Sequence, residues 1–196
     1  MMTTKQREKI QAKIAGIKQA LAAERRKFGD YDDSRGLRYL PTRYYLQLED
    51  YAGGLAYTRW FSKNFPDDSG FPDFLFEWTL ILYKNAKRPE ASKKAFETFC
   101  SDPDVFGYFF NKAAGSQDSR EETGKLNVLI TERFPYSCTQ KELADFAIWL
   151  DALIATEWFS SLSHRFMELN RMLDNETDIG RRHELVMELS RLEKTA

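Results

Sequence analysis

Apolar residues recur along this chain at helical spacing. Ile10, Ile14, Ile17 and Leu21 fall at steps of 4, 3 and 4, which makes one stripe on a helix from Thr4 to about Lys27. Gly29-Asp30 closes that helix, because glycine readily takes the left-handed conformation just past a helix end. Asp32-Asp33-Ser34 offers side-chain oxygens as caps for the next helix, Arg35 to Gln47, in which Pro41 predicts a kink. A turn at Glu49-Asp50 leads to a helix over Tyr51 to Asn64, stopped by the breaker cluster Pro66-Asp67-Asp68-Ser69-Gly70. Pro72 then opens a helix reaching about Asn85, since a first-turn proline loses no hydrogen bond. Pro89-Glu90-Ala91 opens another, ending before Asp102-Pro103.

Beyond a short aromatic segment, Val105 to Phe110, the period lapses. Gly115 to Gly124 is polar throughout and predicts a mobile loop. Leu126 to Thr131 is the one β-like run; with no partner strand in the pattern, a helical turn is expected there. Thr139-Gln140-Lys141-Glu142 predicts a capping box for a helical stretch to about Leu173, broken near Thr156. A last helix, Asp178 to Glu193, carries Leu185, Leu189 and Leu192 on one face. The expectation is an all-α chain in four parts: 1–28 a basic amphipathic helix, 35–105 paired helices, 106–125 irregular, and 126–196 C-terminal helices packing on the array.

The middle is repetitive. Gly54 and Ala91 are 37 residues apart, as are Pro66 and Pro103, and both prolines have aspartate neighbours. The hairpins Arg35 to Asp68 and Pro72 to Val105 each span the 34 residues of a tetratricopeptide unit. The turn Glu49-Asp50-Tyr51, the helix after it and the closing Pro66-Asp67-Asp68 resemble that repeat family over roughly 70 of the 196 residues. A small residue at Gly54 or Ala91 would let the second helix pack closely on the first. Arg38, Pro41, Thr42 and Thr79 depart from the family's pattern. Asp32 to Leu40 also resembles an Asn/Asp-rich lead-in of uncharacterised bacterial proteins of this type.

The resemblance implies antiparallel helical hairpins forming an α-α superhelix, whose first helices line a concave face. Carried over by alignment, that face would present Tyr39, Arg43 and Gln47 from one unit and Phe76, Leu80, Tyr83 and Lys84 from the next. Aromatics beside Arg and Lys suit a peptide or helix carrying acidic groups. The alternative is that the C-terminal helices fill the concavity and make these residues core. Arg43 and Lys84 do not reproduce the carboxylate clamp of some relatives.

Composition narrows the function classes. Hydrophobic residues make up 42% and charged residues 30%, a globular balance, and 15 Phe, 9 Tyr and 4 Trp supply large buried area. No run approaches the roughly 20 apolar residues that span a bilayer. No apolar signal core follows the charged N-terminus. With Cys100 and Cys138 as the two cysteines, reduced cytoplasmic thiols are expected. No catalytic, metal or cofactor motif emerges. His183-Glu184 lacks the second histidine of a zinc helix, His164 has no carboxylate at ligand spacing, and the acidic pairs Asp32-Asp33 and Asp67-Asp68 read as caps.

The net charge of −1 weighs against a nucleic-acid partner. Residues 1–28 are the exception: eight basic side chains against two acidic ones make +6, leaving −7 for the remainder. That helix could meet RNA, an acidic partner or an anionic membrane surface, and its stripe could cap the repeats or pair with a second copy as a homodimer. The reading is therefore a non-enzymatic helical scaffold that binds a protein or peptide partner, with a nucleic-acid-associated protein as the alternative.

Overall fold

The computed structural model describes residues 2–31, 33–111 and 134–195. Among these, α-helices run over α1 (Thr4–Phe28), α2 (Leu40–Gln47), α3 (Tyr51–Asn64), α4 (Pro72–Lys84), α5 (Arg88–Ser101), α6 (Val105–Phe109), α7 (Ala144–Ile154), α8 (Glu157–Asn175) and α9 (Ile179–Thr195). Short 3-10 turns, Leu37–Tyr39 and Lys141–Leu143, precede α2 and α7, and there is no strand among the described residues. The loop expected at Gly115–Gly124 and the turn expected at Leu126–Thr131 lie outside them. The chain divides into two compact units, Met1–Ala91 and Ser92–Ala196, so the boundary falls inside α5.

In the first unit, α1 starts with a reciprocal box. The Thr3 hydroxyl accepts from the Gln6 N–H, and the Gln6 side chain accepts from the Thr3 N–H. It ends at Gly29 in the left-handed conformation, φ 80°. Ile14, Ile17 and Leu21 are buried, and α1 packs on α2 and the 3-10 turn before it. The predicted stripe is thus covered inside the unit. Asp33 caps the next segment by accepting from the N–H groups of Leu37 and Arg38. Pro41 does not kink a helix. It sits in the first turn of α2, where a proline's missing N–H costs nothing.

Helices α2, α3 and α4 pack on one another. Two aromatic clusters hold them: Tyr45 and Tyr57 with Ile14 and Leu48, and Phe61 and Phe74 with Leu75. The close approach made by Gly54 differs from the expectation, which paired it with its own hairpin's first helix. A Cβ on Gly54 would meet the Ile81 side chain of α4 at 3.0 Å.

The 37-residue spacing returns in the backbone. At the end of α2, Glu49 N–H donates to Leu46 C=O and Asp50 N–H to Tyr45 C=O. At the end of α4, Ala86 donates to Tyr83 and Lys87 to Leu82, each shifted by 37. Both are double-bonded helix terminations that require a left-handed residue, and Glu49 (φ 55°) and Ala86 (φ 56°) occupy it. The later bonds keep step: Gly54 to Asp50 matches Ala91 to Lys87, and Phe65 to Phe61 matches Asp102 to Thr98.

The second unit is built on rings. Phe96 and Phe99 of α5 pack edge-on to Phe159 of α8, Phe99 also meets Phe166, and Phe109 of α6 meets Phe146 of α7. Thr156 breaks the C-terminal stretch where expected, its hydroxyl accepting from the Phe159 N–H as the cap of α8. Leu185 and Leu189 of α9 are buried where α9 packs along α8, and Leu192 is half-buried. The capping box expected at Thr139–Glu142 is not formed: neither the 3-10 turn at Lys141 nor α7 has a side-chain cap, and Ser137 N–H donates to the Gln140 side chain instead.

Left-handed Glu49 and Ala86 carry strain that glycine lacks, so Glu49→Gly and Ala86→Gly should each stabilise the fold by about 1 kcal/mol in urea titrations. Gly54→Val should cost about 1–3 kcal/mol by overpacking against Ile81. A wild-type midpoint in Gly54→Val would show that the α3–α4 contact is loose.

Candidate functional site

The residues expected to line a binding face sit on α2, α4 and the turns that flank them, where two polar networks occur. In the first, Arg38 and Tyr39 leave the 3-10 turn toward Asp68, which lies in the turn after α3. Arg38 Nε donates to Asp68 at 2.7 Å, and Arg38 Nη2 donates to the Tyr39 hydroxyl at 2.7 Å. That hydroxyl lies 2.8 Å from both carboxylate oxygens of Asp68 and donates to them. Gly70 N–H adds a bond to Asp68, and Asp33 takes an Arg38 Nη1 contact at 3.4 Å. Burial and the bond to Asp68 raise the Tyr39 phenol to about 12. Burial alone would raise Asp68, but its bonds from Tyr39, Arg38 and Gly70 hold it below its ordinary value.

The second network joins α2 to α4. Asp73 and Glu77 stand one turn apart on α4, so a single guanidinium can reach both. Arg43 Nε donates to Glu77 at 2.8 Å and Nη2 to Asp73 at 2.8 Å. Glu77 is 1% exposed, and its other oxygen accepts from Thr42 at 2.6 Å. Burial lifts the Glu77 carboxyl to about 7 against the pull of Arg43 and Thr42. Thr42 also lies 3.0 Å from the Tyr39 carbonyl. A neutral Glu77 can therefore donate to the Thr42 oxygen while the Thr42 hydroxyl turns to that carbonyl. The bonds are satisfied in either protonation state.

The seven predicted face residues separate by burial. Phe76, Leu80 and Tyr83 are 0%, 1% and 6% exposed, so the expectation that they line an open groove is corrected: they are interior. The reason is that α4 is apolar on nearly every side, with Phe74, Leu75, Ile81 and Leu82 buried too. Tyr39 and Arg43 are half-buried and engaged in the two networks. Lys84 is half-buried, with its ammonium 5.9 Å from the Tyr83 ring centre. Gln47 is exposed. Arg38 and Thr42, departures from the repeat pattern, are the residues that tie the networks together.

Elsewhere, His164 and His183 are exposed. Cys100 is half-buried, and burial with Glu193 and Glu97 nearby pushes its thiol far up, the opposite of an activated nucleophile. Among the described residues no helix is long and apolar enough to cross a membrane, and no group of three or more His, Cys, Asp or Glu could hold a metal. Two surface features escaped the sequence reading. Helices α8 and α9 expose Trp158, Met167, Met172, Ile179, Val186 and Met187. None of the eight basic side chains of α1 makes an ion pair with another described residue. An exposed apolar residue next to a buried one on a helix is readable only once the neighbours are placed.

Glu77 makes a pH prediction. Its folded value, about 7, exceeds its ordinary 4.5, so between them the folded state holds more protons than the unfolded. Its contribution is complete below that range and is lost as pH rises through about 7. Glu77→Gln should flatten this fall, of roughly 1–3 kcal/mol, in urea midpoints compared at about pH 5 and about pH 8. Parallel profiles for wild type and variant would show that Glu77 is ionised throughout.

Comparison with known proteins finds no family model, curated protein or solved structure that matches this chain.

Proposed function

We propose that this chain is a non-enzymatic helical scaffold, built around a tetratricopeptide-like array, that binds a protein or peptide partner. The observation that carries the reading is where apolar surface is left over. Of the eleven exposed large hydrophobic residues among those described, six lie on α8 and α9. By contrast, the α2–α4 face has its rings buried and its charges paired. Contiguous exposed apolar surface marks interaction sites, and on α9 Ile179, Val186 and Met187 lie within about 100° of one another. Methionines, three of the six here, are flexible and adapt to varied partners. The terminal hairpin is therefore the better binding surface, and an amphipathic helix with apolar anchors is the ligand that fits it. The array reading draws its support from the 37-residue register of the helix terminations and the packing of α2 on α4.

Capture from the native cell extract should separate the alternatives. Met167→Lys/Val186→Lys/Met187→Lys changes exposed positions, so its melting temperature should stay near wild type while bound partners are lost by tenfold or more. The same partners in the same amounts on both baits would remove the hairpin as the site. Gln47→Glu, on the face first expected, should leave capture unchanged.

A further inference from the structure

We propose that the lysine-bearing flank of α1 docks on the sugar–phosphate backbone of a nucleic-acid duplex without reading its sequence. This rests on the first unit alone and is independent of the α8–α9 reading. The basic side chains of α1 fall into two groups. Arg7, Lys18 and Arg25 donate to neutral oxygens within the unit: the Leu48 carbonyl, the Tyr45 hydroxyl, and the Tyr31 hydroxyl with the Asn64 amide. Lys5, Lys9, Lys13, Arg26 and Lys27 are exposed and make no hydrogen bond or ion pair with a described residue. Of these, Lys13 and Lys27 only approach ring faces, those of Tyr44 and Phe28.

The geometry of those four lysines suits a duplex. At about 100° per residue they share an arc of roughly 80° on the flank of the helix beside its buried stripe. Lys5 and Lys27 stand about 33 Å apart along the rod at 1.5 Å per residue. That is close to one duplex turn of about 34–36 Å, so the two ends can reach successive passes of backbone. Between them the arc carries Gly16, half-buried Ala20 and Ala23, and around Gly16 a Cβ would find nothing within 4 Å. A backbone ridge can thus approach the helix closely while lysines meet it at either end.

Other anionic surfaces fit less well. Membrane insertion needs an apolar face, and the stripe of α1 is buried in the unit. Single strands are held by stacking bases on open rings. Of the rings beside α1, Tyr31, Tyr44 and Tyr45 are buried or half-buried under the helix's cations, and Phe28, a single exposed ring at its C-terminal end, offers no succession of stacking faces.

The test is binding of the full chain to a fluorescently labelled duplex of mixed sequence, followed by polarisation over about 50–200 mM salt. Four phosphate contacts predict a slope of log K against log salt near −4, which is about a hundredfold loss over that range. Lys5→Gln/Lys9→Gln/Lys13→Gln/Lys27→Gln should weaken binding at least tenfold and flatten the slope. Helix content and melting should be unchanged, because all four side chains are exposed. Three results would each overturn the proposal: no wild-type binding at the lowest salt, an unchanged slope in the quadruple variant, or competition by polyglutamate or phosphatidylserine vesicles as strong as by unlabelled duplex.

Discussion

The first unit depends on the contact between Phe61 of α3 and Phe74 of α4, whose ring centres are 4.7 Å apart in a fully buried position. Tyr39, Phe65 and Trp78 all lean on Phe61, each within about 6 Å. Without that pair, the turn before α2 and the turn after α3 would lose their shared anchor. Gly54 is part of the same constraint. Its missing side chain brings α3 against Ile81, and only at that distance do the rings of the two helices mesh.

The polar networks follow from this packing. Once α4 is enclosed, Glu77 lies inside, and an enclosed carboxylate must find donors or give up its charge. Arg43 and Thr42 are the donors α2 can bring. Asp68, held by Arg38 and Tyr39, does the equivalent work at the turn that ends α3. These charges are committed to joining helices, which leaves them poor candidates for a partner's charges. Interaction surface has to be sought on elements that the core does not surround, such as the terminal hairpin and the lysine-bearing flank of α1.

Much of the architecture was legible locally. Tyr51–Asn64 was bounded correctly because Asp50 and the Pro66 cluster are strong local signals, and the break at Thr156 was readable for the same reason. The 37-residue spacing showed in Gly54, Ala91 and the prolines before the backbone bonds displayed it. Pro41 was misjudged because a proline signals either a kink or a start, and the choice turns on whether Leu37–Tyr39 joins the helix. The expected binding face failed for a different reason. Its residues were placed by repeat alignment, which says which side of α4 they occupy but not how many neighbours enclose that helix.

Taken alone, the sequence determined that the described chain is helical, where most helices begin and end, and that its first helix is strongly basic with an apolar stripe. These properties depend on hydrogen bonds and side-chain periodicity within a few turns. Tertiary structure decided that Phe76, Leu80 and Tyr83 are core, that Arg43 is bound to Glu77 and Asp73, and that the lysines of α1 find no acidic partner among the described residues. Burial and ion pairing depend on groups 30 or more residues away in the chain, as Arg43 and Glu77 are, and no local pattern encodes which of them will meet.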